Sequence, residues 1–377
     1  MLRARRIFIP RPADAANINA QAKNAQYILR HWQSRAWRPS IAAFAAPDEF
    51  VAANQNVDIL KFRSDHLWRL MVYLAYFRRF DAVFSPGVHH YADWLALRTR
   101  ALLGWRLPVI DTFEGLGAGT EDDRWEREYS AAAGHRVYCQ RIPEPQLRRV
   151  DEICRMADHI IAISPFLGRM ARSRYGDKVS VLPLGVDTEM FVRPSFSRRA
   201  RLRVVGAGRV AQHKRPELFV TLAAKFPQAD FVWFGEGDMR CGLVADIARR
   251  GLDNLVFPGS LLPQLLAQEF AASDIFVLPS LCEGVPKVTQ EAAAAGLAQI
   301  IFGFYEAPTV VDGVNGFVVW SEEELSDRLA QLIGDPDMVE AMGRAGTRMA
   351  QHWSWSIVAP QWEEKIISVL RPNGTTN

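Results

Sequence analysis

Ser280-Leu281-Cys282-Glu283-Gly284-Val285-Pro286-Lys287-Val288-Thr289-Gln290-Glu291-Ala292-Ala293-Ala294-Ala295-Gly296 decides how the chain is read, because two glutamates with seven residues between them straddle a loop-to-helix junction. Gly284 lets backbone approach a ligand closely, Pro286 suits a first helical turn, and the Ala-rich run propagates helix. The N–H groups at Lys287 and Val288 then face outward and fit a phosphate. Carboxylates at Glu283 and Glu291 repel a phosphate and instead accept hydrogen bonds from neutral hydroxyls. Phosphate plus hydroxyls describes a nucleotide sugar. Taken alone, the segment also reads as a helix that happens to carry two acids. Asp274-Ile275-Phe276-Val277-Leu278-Pro279 favours the first reading, because this apolar strand ends just ahead of Glu283. In open parallel sheets, ligands gather outside the carboxyl ends of strands.

The 377 residues are 49% hydrophobic and 23% charged, a globular composition whose length suggests two or three domains. The first ten residues are basic, but Pro10 and Arg11 interrupt the apolar run before a signal-peptide core is complete, so a cytoplasmic chain is expected. The run Leu67 to Phe77 is broken by Arg69, which leaves no stretch near the roughly 18 apolar residues that span a bilayer. Cys139, Cys154, Cys241 and Cys282 lie far apart and read as reduced structural thiols. The net charge of +3 divides into about +6 up to residue 190 and about −3 beyond it. Arg3-Arg5-Arg6, Arg35-Arg38, Arg78-Arg79 and Arg98-Arg100-Arg106, with Trp32, Trp37, Tyr76, Phe77 and Trp105, are either solvated surface or a contact for an anionic membrane face. No nucleic-acid-binding module accompanies this charge, so no nucleic acid is expected as a partner.

Strand-like and helical runs alternate throughout, which predicts layered α/β domains with mostly parallel sheets. Ile7-Phe8-Ile9, Ala82-Val83-Phe84, Pro108-Val109-Ile110, His159 to Ile163 and Val179 to Leu182 supply strands of the first half, with a helix from about Ala20 to Trp37. Arg193-Pro194-Ser195-Phe196-Ser197-Arg198-Arg199 reads as an exposed linker and places a domain boundary near residue 195. The second half restarts at Leu202-Arg203-Val204-Val205 and continues through Phe231 to Phe234, Leu255 to Phe257 and Ile275 to Val277. Trp355, Val358, Trp362, Ile366 and Val369 stand at helical spacing and read as a packing stripe.

After Val204-Val205 comes Gly206-Ala207-Gly208-Arg209-Val210-Ala211-Gln212-His213-Lys214-Arg215-Pro216. The glycines begin like a dinucleotide fingerprint, but a cationic loop replaces the immediate apolar helix, which Pro216 opens only later. Arg209 and Lys214 either face the same crevice as Glu283, where they neutralise a diphosphate leaving group, or are surface charges.

These residues resemble the retaining glycosyltransferases of the GT-B fold, family 4 or group 1. Glu283 to Glu291 resembles the family's E-x7-E motif, Gly208-Arg209 with Lys214 its donor-phosphate loop, and Gly235-Glu236-Gly237 its mid-domain turn. Ala157 to Ser164 through Leu184-Gly185-Val186-Asp187, Asp312 to Phe317, and His352-Trp353-Ser354-Trp355 resemble further family segments in family order. The resemblance implies two Rossmann-like α/β/α domains facing each other across a cleft. Residues 1–195 bind the acceptor, residues 196–352 bind the nucleotide sugar, and residues 353–377 form a helix returning to the first domain. It implies that Arg209 and Lys214 hold the donor diphosphate with backbone N–H groups of Gly284, Val285 and Lys287. Glu291 then holds the ribose hydroxyls, Glu283 the transferred sugar, and the Pro258-Gly259-Ser260-Leu261-Leu262 turn lies against the base. The resemblance further implies UDP- or GDP-sugar donors, transferred with retention, without metal or other cofactor and without an enzyme nucleophile, onto a saccharide or lipid-linked saccharide in cell-envelope or exopolysaccharide synthesis.

Three departures stand out. Glu114, in Asp111-Thr112-Phe113-Glu114-Gly115, occupies about the place of a family histidine and is either its functional replacement or an uninvolved loop acid. Asp14 to Asn19 replaces a glycine-rich loop, with Asn17 and Asn19 either binding acceptor hydroxyls or stabilising a turn. Lys287 and Gln290 stand where apolar residues are usual. His89 and His90 are adjacent and so point apart, which makes shared metal binding a poor fit. A nucleotide-sugar epimerase of the same fold and a catalytically silent scaffold remain the alternatives.

Overall fold

The computed structural model describes residues 4–15, 20–62, 68–78, 80–87, 91–120, 122–196 and 199–371. It divides into two compact units, one made of Met1–Trp125, Arg141–Gly185 and Trp355–Asn377, the other of Glu126–Gln140 and Val186–Ser354.

The chain begins with strands β1 (Arg5–Pro12), β2 (Trp37–Ala43), β3 (Asp58–Lys61), β4 (Ala82–Ser85) and β5 (Val109–Phe113). It continues with β6 (Gly117–Gly119), β7 (Gln140–Ile142), β8 (His159–Ala162) and β9 (Val179–Val181). Seven of these form the first unit's sheet in the order β3-β2-β1-β4-β5-β8-β9, while β6 pairs with β7 separately. Every pairing in the large sheet is parallel. All four residues of β4 and all five of β5 are buried, as expected where helices cover both faces of a parallel sheet.

The helix expected from Ala20 to Trp37 stops at Arg30, and Trp37 opens β2 instead. Asn54 ends it, because its Nδ2 donates to the carbonyls of Leu29 and Trp32 at 2.8 and 2.9 Å and satisfies acceptors that further helix would have used. The final helix, Trp355–Leu370, packs on Ala20–Arg30 within this unit. Trp355 stacks on Tyr27 with centroids 5.2 Å apart, Trp362 Nε1 donates to the carbonyl of Pro183 at 2.7 Å, and Glu363 accepts the N–H groups of Gln33 and Ser34.

The second unit contains β10 (Arg203–Ala207), β11 (Asp230–Phe234), β12 (Leu255–Gly259), β13 (Ile275–Leu278), β14 (Ala298–Phe302) and β15 (Gly316–Val319). Its sheet runs β12-β11-β10-β13-β14-β15, again all parallel. In both units the chain winds outward from a central pair, β1 with β4 and β10 with β13. The connections leave that pair in opposite directions, which opens a crevice at the carboxyl ends of its strands.

The chain passes between units at Gly185/Val186, ahead of the boundary near residue 195 that the linker composition suggests. Val186 already belongs to the second unit, where its N–H donates to the carbonyl of Trp353 at 2.8 Å. Glu126–Gln140 also joins this unit, although it lies inside the sequence of the first. Tyr138 packs edge-on against Phe304 at 5.0 Å, and His135 Nε2 lies 3.0 Å from Glu306.

Two turns of the second unit press so closely that only glycine fits. Gly235 has φ +152°, and a Cβ there would stand 1.9 Å from the carbonyl oxygen of Gly208. Gly235→Ala is therefore expected to destabilise the protein by about 2 kcal/mol or more, read as a lower denaturation midpoint in urea. An unchanged midpoint would show that the two turns are free to separate.

Candidate active site

β10 ends at Ala207, and Gly208 turns the chain into the loop that carries Arg209 and Lys214. The turn is held from β11: the N–H of Gly208 donates to the carbonyl of Phe234 at 2.9 Å, and Trp233 Nε1 donates to the carbonyl of Gly208 at 3.1 Å. A short 3-10 helix, Gln212–Lys214, follows, and Arg215 at φ +53° turns the chain into the helix Pro216–Lys225. This left-handed residue explains why the cationic loop is longer than a dinucleotide turn.

β13 delivers the other half of the site. After Leu278 the loop runs through Glu283 to Pro286, and the helix Lys287–Ala294 begins. Pro286 precedes the first turn and has no side-chain acceptor with which to cap it, so the helix start keeps its electropositive character for a ligand. The two loops are tied together, because the N–H of Leu281 donates to the carbonyl of His213 at 3.0 Å. This places Lys214 Nζ in direct contact with Glu283 Oε1, with side chains only 14% and 10% exposed. Gly284, Val285 and Lys287 are half-buried beside them, and Arg209 stands exposed on the same loop.

Burial raises the pKa of Glu291 above the usual carboxyl value, with Lys287 pulling it back. Burial, and then Lys214, lower the imidazole pKa of His213. Burial and the neighbouring Glu283 charge push the Cys282 thiol up to about 12, which makes it unfit as a thiolate nucleophile. Gly259 ends β12 and Leu262 follows it, at the same carboxyl edge. Gly259 has φ +100°, its carbonyl accepts the N–H of Gly235 at 2.9 Å, and Leu262 is exposed just before the helix Pro263–Ala271.

Sequence reasoning missed Tyr305 and the Glu306–His135 pair. Tyr305 sits in the 3-10 turn after β14, is buried, and its Oη has no hydrogen-bond partner among the described residues. Its phenol pKa is driven well above the ordinary value by burial, then by Glu283 and Cys282. Glu306 holds φ +45°. The signal the sequence offers for this turn is local, an acid ahead of a proline in Glu306-Ala307-Pro308-Thr309 just after an apolar strand.

In the first unit, Glu114 lies just past β5. Thr112 Oγ1 donates to Glu114 Oε1 at 2.8 Å and accepts the N–H of Gly87 at 2.6 Å, which links the carboxyl ends of β5 and β4. Buried Arg11 holds the same turn through the carbonyls of Pro86 and Gly87, at 2.8 and 2.9 Å, and pairs with Asp93, which also accepts from Tyr76 Oη. Asn17, Asn19, His89 and His90 lie outside the described residues.

A family model for group 1 glycosyl transferases matches residues 191–349, and one for glycosyltransferase family 4 matches residues 22–190. The chain is 30% identical over 324 residues to a D-inositol 3-phosphate glycosyltransferase of Mycobacterium leprae, a match covering 76% of this chain and 71% of that one. It is also 30% identical over 244 residues to the enzyme of the same name from Segniliparus rotundus. That match covers 58% of this chain and spans only a little over half, 54%, of the relative's length. In fold it is similar to the Anabaena protein HepE, solved in complex with UDP, with a TM-score of 0.70 at 16% identity, covering 97% of this chain and all of that one.

Two outcomes follow from the geometry. Removing one member of the Lys214–Glu283 pair leaves a mostly buried charge, so Lys214→Met or Glu283→Leu alone should cost about 3 kcal/mol, whereas the double variant should recover most of it. Additive losses in chemical denaturation would contradict the pairing. A carboxyl whose folded pKa is raised stabilises below its unfolded value, near 4.5 for Glu291, and that stability is lost as pH rises through the folded value. Glu291→Gln should therefore raise the melting temperature at pH 7 and leave it unchanged at pH 4. A lower melting temperature at pH 7 would contradict the burial.

Proposed function

We propose that this chain, which belongs to the group 1 and family 4 glycosyltransferases, moves a hexosyl group from a UDP- or GDP-sugar to a hydroxyl of a saccharide or lipid-linked saccharide, with retention at the anomeric carbon. The observation that carries this reading is the contact of Lys214 with Glu283 beside the helix start at Lys287. A cation, a carboxylate and an electropositive helix end meet there at the carboxyl edge of β10 and β13. A diphosphate matches the first and third of these, and the hydroxyls of a sugar match the second.

In this reading the diphosphate draws Lys214 toward itself, with Arg209 and the N–H groups at Gly284, Val285 and Lys287 as further donors. Glu283, relieved of Lys214, accepts from the sugar's hydroxyls, and Glu291 accepts from the ribose. Negative charge grows on the leaving phosphate as the glycosidic bond breaks, and fixed cations stabilise that charge without reorganising. The same phosphate takes the proton from the acceptor hydroxyl, so no enzyme nucleophile and no metal are needed. Glu114, oriented by Thr112, is the first unit's candidate contact to the reacting sugar. The UDP seen in HepE favours a UDP-sugar as the first donor to try. The proposed setting is the cytoplasmic synthesis of envelope or exopolysaccharide.

Turnover of UDP- and GDP-sugars with a panel of saccharide acceptors, in EDTA, tests the reading. The wild-type chain is expected to consume one donor class, and Glu283→Gln and Lys214→Ala should each lower kcat about 100-fold or more. Full turnover by either folded variant would overturn the assignment, and loss of wild-type turnover in EDTA would overturn metal independence. Product analysis by NMR reports the anomeric configuration, and inversion would contradict the phosphate-as-base scheme. Release of an altered sugar without acceptor would mark an epimerase instead.

A further inference from the structure

At the amino-terminal edge of the first unit's sheet, the helix Tyr91–Leu102 ends in Leu103-Gly104-Trp105-Arg106 before β5 begins. Leu102, Leu103 and Trp105 are 82%, 53% and 56% exposed. Single exposed apolar residues are ordinary, but three on one projecting turn are not. Beside this turn lies a cavity of about 500 Å³ whose lining includes Arg5, Arg78, Arg100, Phe77 and Asp81. Phe77 joins the two features, its ring centroid 6.5 Å from that of Trp105.

Arg100 is the hinge of the arrangement. Its Nη1 donates to the carbonyl of Tyr76 at 2.8 Å, and its own carbonyl accepts the N–H of Trp105 at 2.9 Å. Its Nε has no partner among the described residues, and burial lowers the guanidinium's pKa. The acid in the cavity, Asp81, already accepts the N–H of Arg6 at 2.7 Å, so the lining sets three arginines against one engaged carboxylate, with the Arg5 guanidinium also lying over the Trp37 ring at 5.2 Å. The surrounding sequence has the same sign, because residues 1–110 hold sixteen Lys and Arg against seven Asp and Glu, a net +9.

We propose that this edge docks on an anionic lipid bilayer, with a lipid phosphate held by Arg5, Arg78 and Arg100 while Leu102, Leu103 and Trp105 enter the boundary between headgroups and acyl chains. A free phosphate would use only the cationic cavity, and an acidic soluble protein would leave the apolar turn in water. A bilayer surface is negative outside and apolar roughly 5–10 Å deeper, which uses both. The dock lies where β1, β4 and β5 begin, whereas Gly87, Thr112 and Glu114 lie where β4 and β5 end. It is therefore a tether that turns the acceptor loops away from the lipid. It does not depend on the acceptor being lipid-linked or on the donor assignment.

Co-sedimentation with vesicles, without donor or acceptor present, tests the dock. Vesicles of phosphatidylcholine are compared with vesicles containing about 30% phosphatidylglycerol, at low and high salt. The protein is expected to sediment with the anionic vesicles at low salt, at least about tenfold more tightly than with the neutral ones. Leu102→Asp/Trp105→Asp, at exposed positions, should weaken this at least about tenfold with unchanged melting temperature and donor turnover, and Arg78→Gln/Arg100→Gln should remove the preference for anionic lipid. Equal sedimentation of the aspartate variant and the wild type would overturn the proposal. So would indifference to both vesicles, whether the protein then binds only inorganic phosphate or self-associates through this face.

Discussion

The contact between Lys214 and Glu283 is the constraint around which the second unit's carboxyl edge is built. It forms only because β10 and β13 are neighbours and because the carbonyl of His213 accepts the N–H of Leu281, which fixes one loop against the other. On the other side of the same loop, Gly208 and Gly235 let the turns after β10 and β11 meet, since any side chain at Gly235 would strike the carbonyl of Gly208. A mostly buried ion pair contributes little that well-packed apolar residues could not supply. Its presence at the strand ends, beside an uncapped helix start, is better explained by ligand chemistry than by stability. Glu291 follows the same logic, because burial works against its charge.

The first unit uses a different device. Its central crevice, between β1 and β4, is shaped by Arg11, whose guanidinium reaches two carbonyls of the Pro86–Gly87 turn while Asp93 balances its charge. Thr112 passes the order on, accepting from Gly87 and donating to Glu114. Glu114 is thus held by the scaffold rather than left on a free loop. At the opposite edge of the same sheet the apolar turn and its arginines face outward, so one unit offers two chemically distinct ends.

Much of this was legible in the sequence for local reasons. Short apolar runs ending in Gly or Pro gave the strands, and the doubly wound order follows from their alternation with helices. Glu283, Gly284, Pro286 and Glu291 could be placed because a strand, a turn and a helix start coincide within twenty residues. The reading failed where distant contacts decide the outcome. Asn54 stops a helix whose periodicity continues toward Trp37, and Glu126–Gln140 folds with residues such as Glu306, 171 positions after His135. Neither is encoded by spacing. Tyr305 was invisible because one tyrosine after an apolar strand looks like core. The cavity at Arg100 was visible only as charge, since sequence does not show that Phe77 meets Trp105.

The most direct test of the account is a crystal structure of the chain soaked with UDP. The diphosphate is expected at the start of the helix Lys287–Ala294, with Lys214 Nζ turned onto a phosphate oxygen, the Lys214–Glu283 contact opened, and the ribose against Glu291. UDP bound elsewhere, or bound there with the Lys214–Glu283 contact intact, would contradict it.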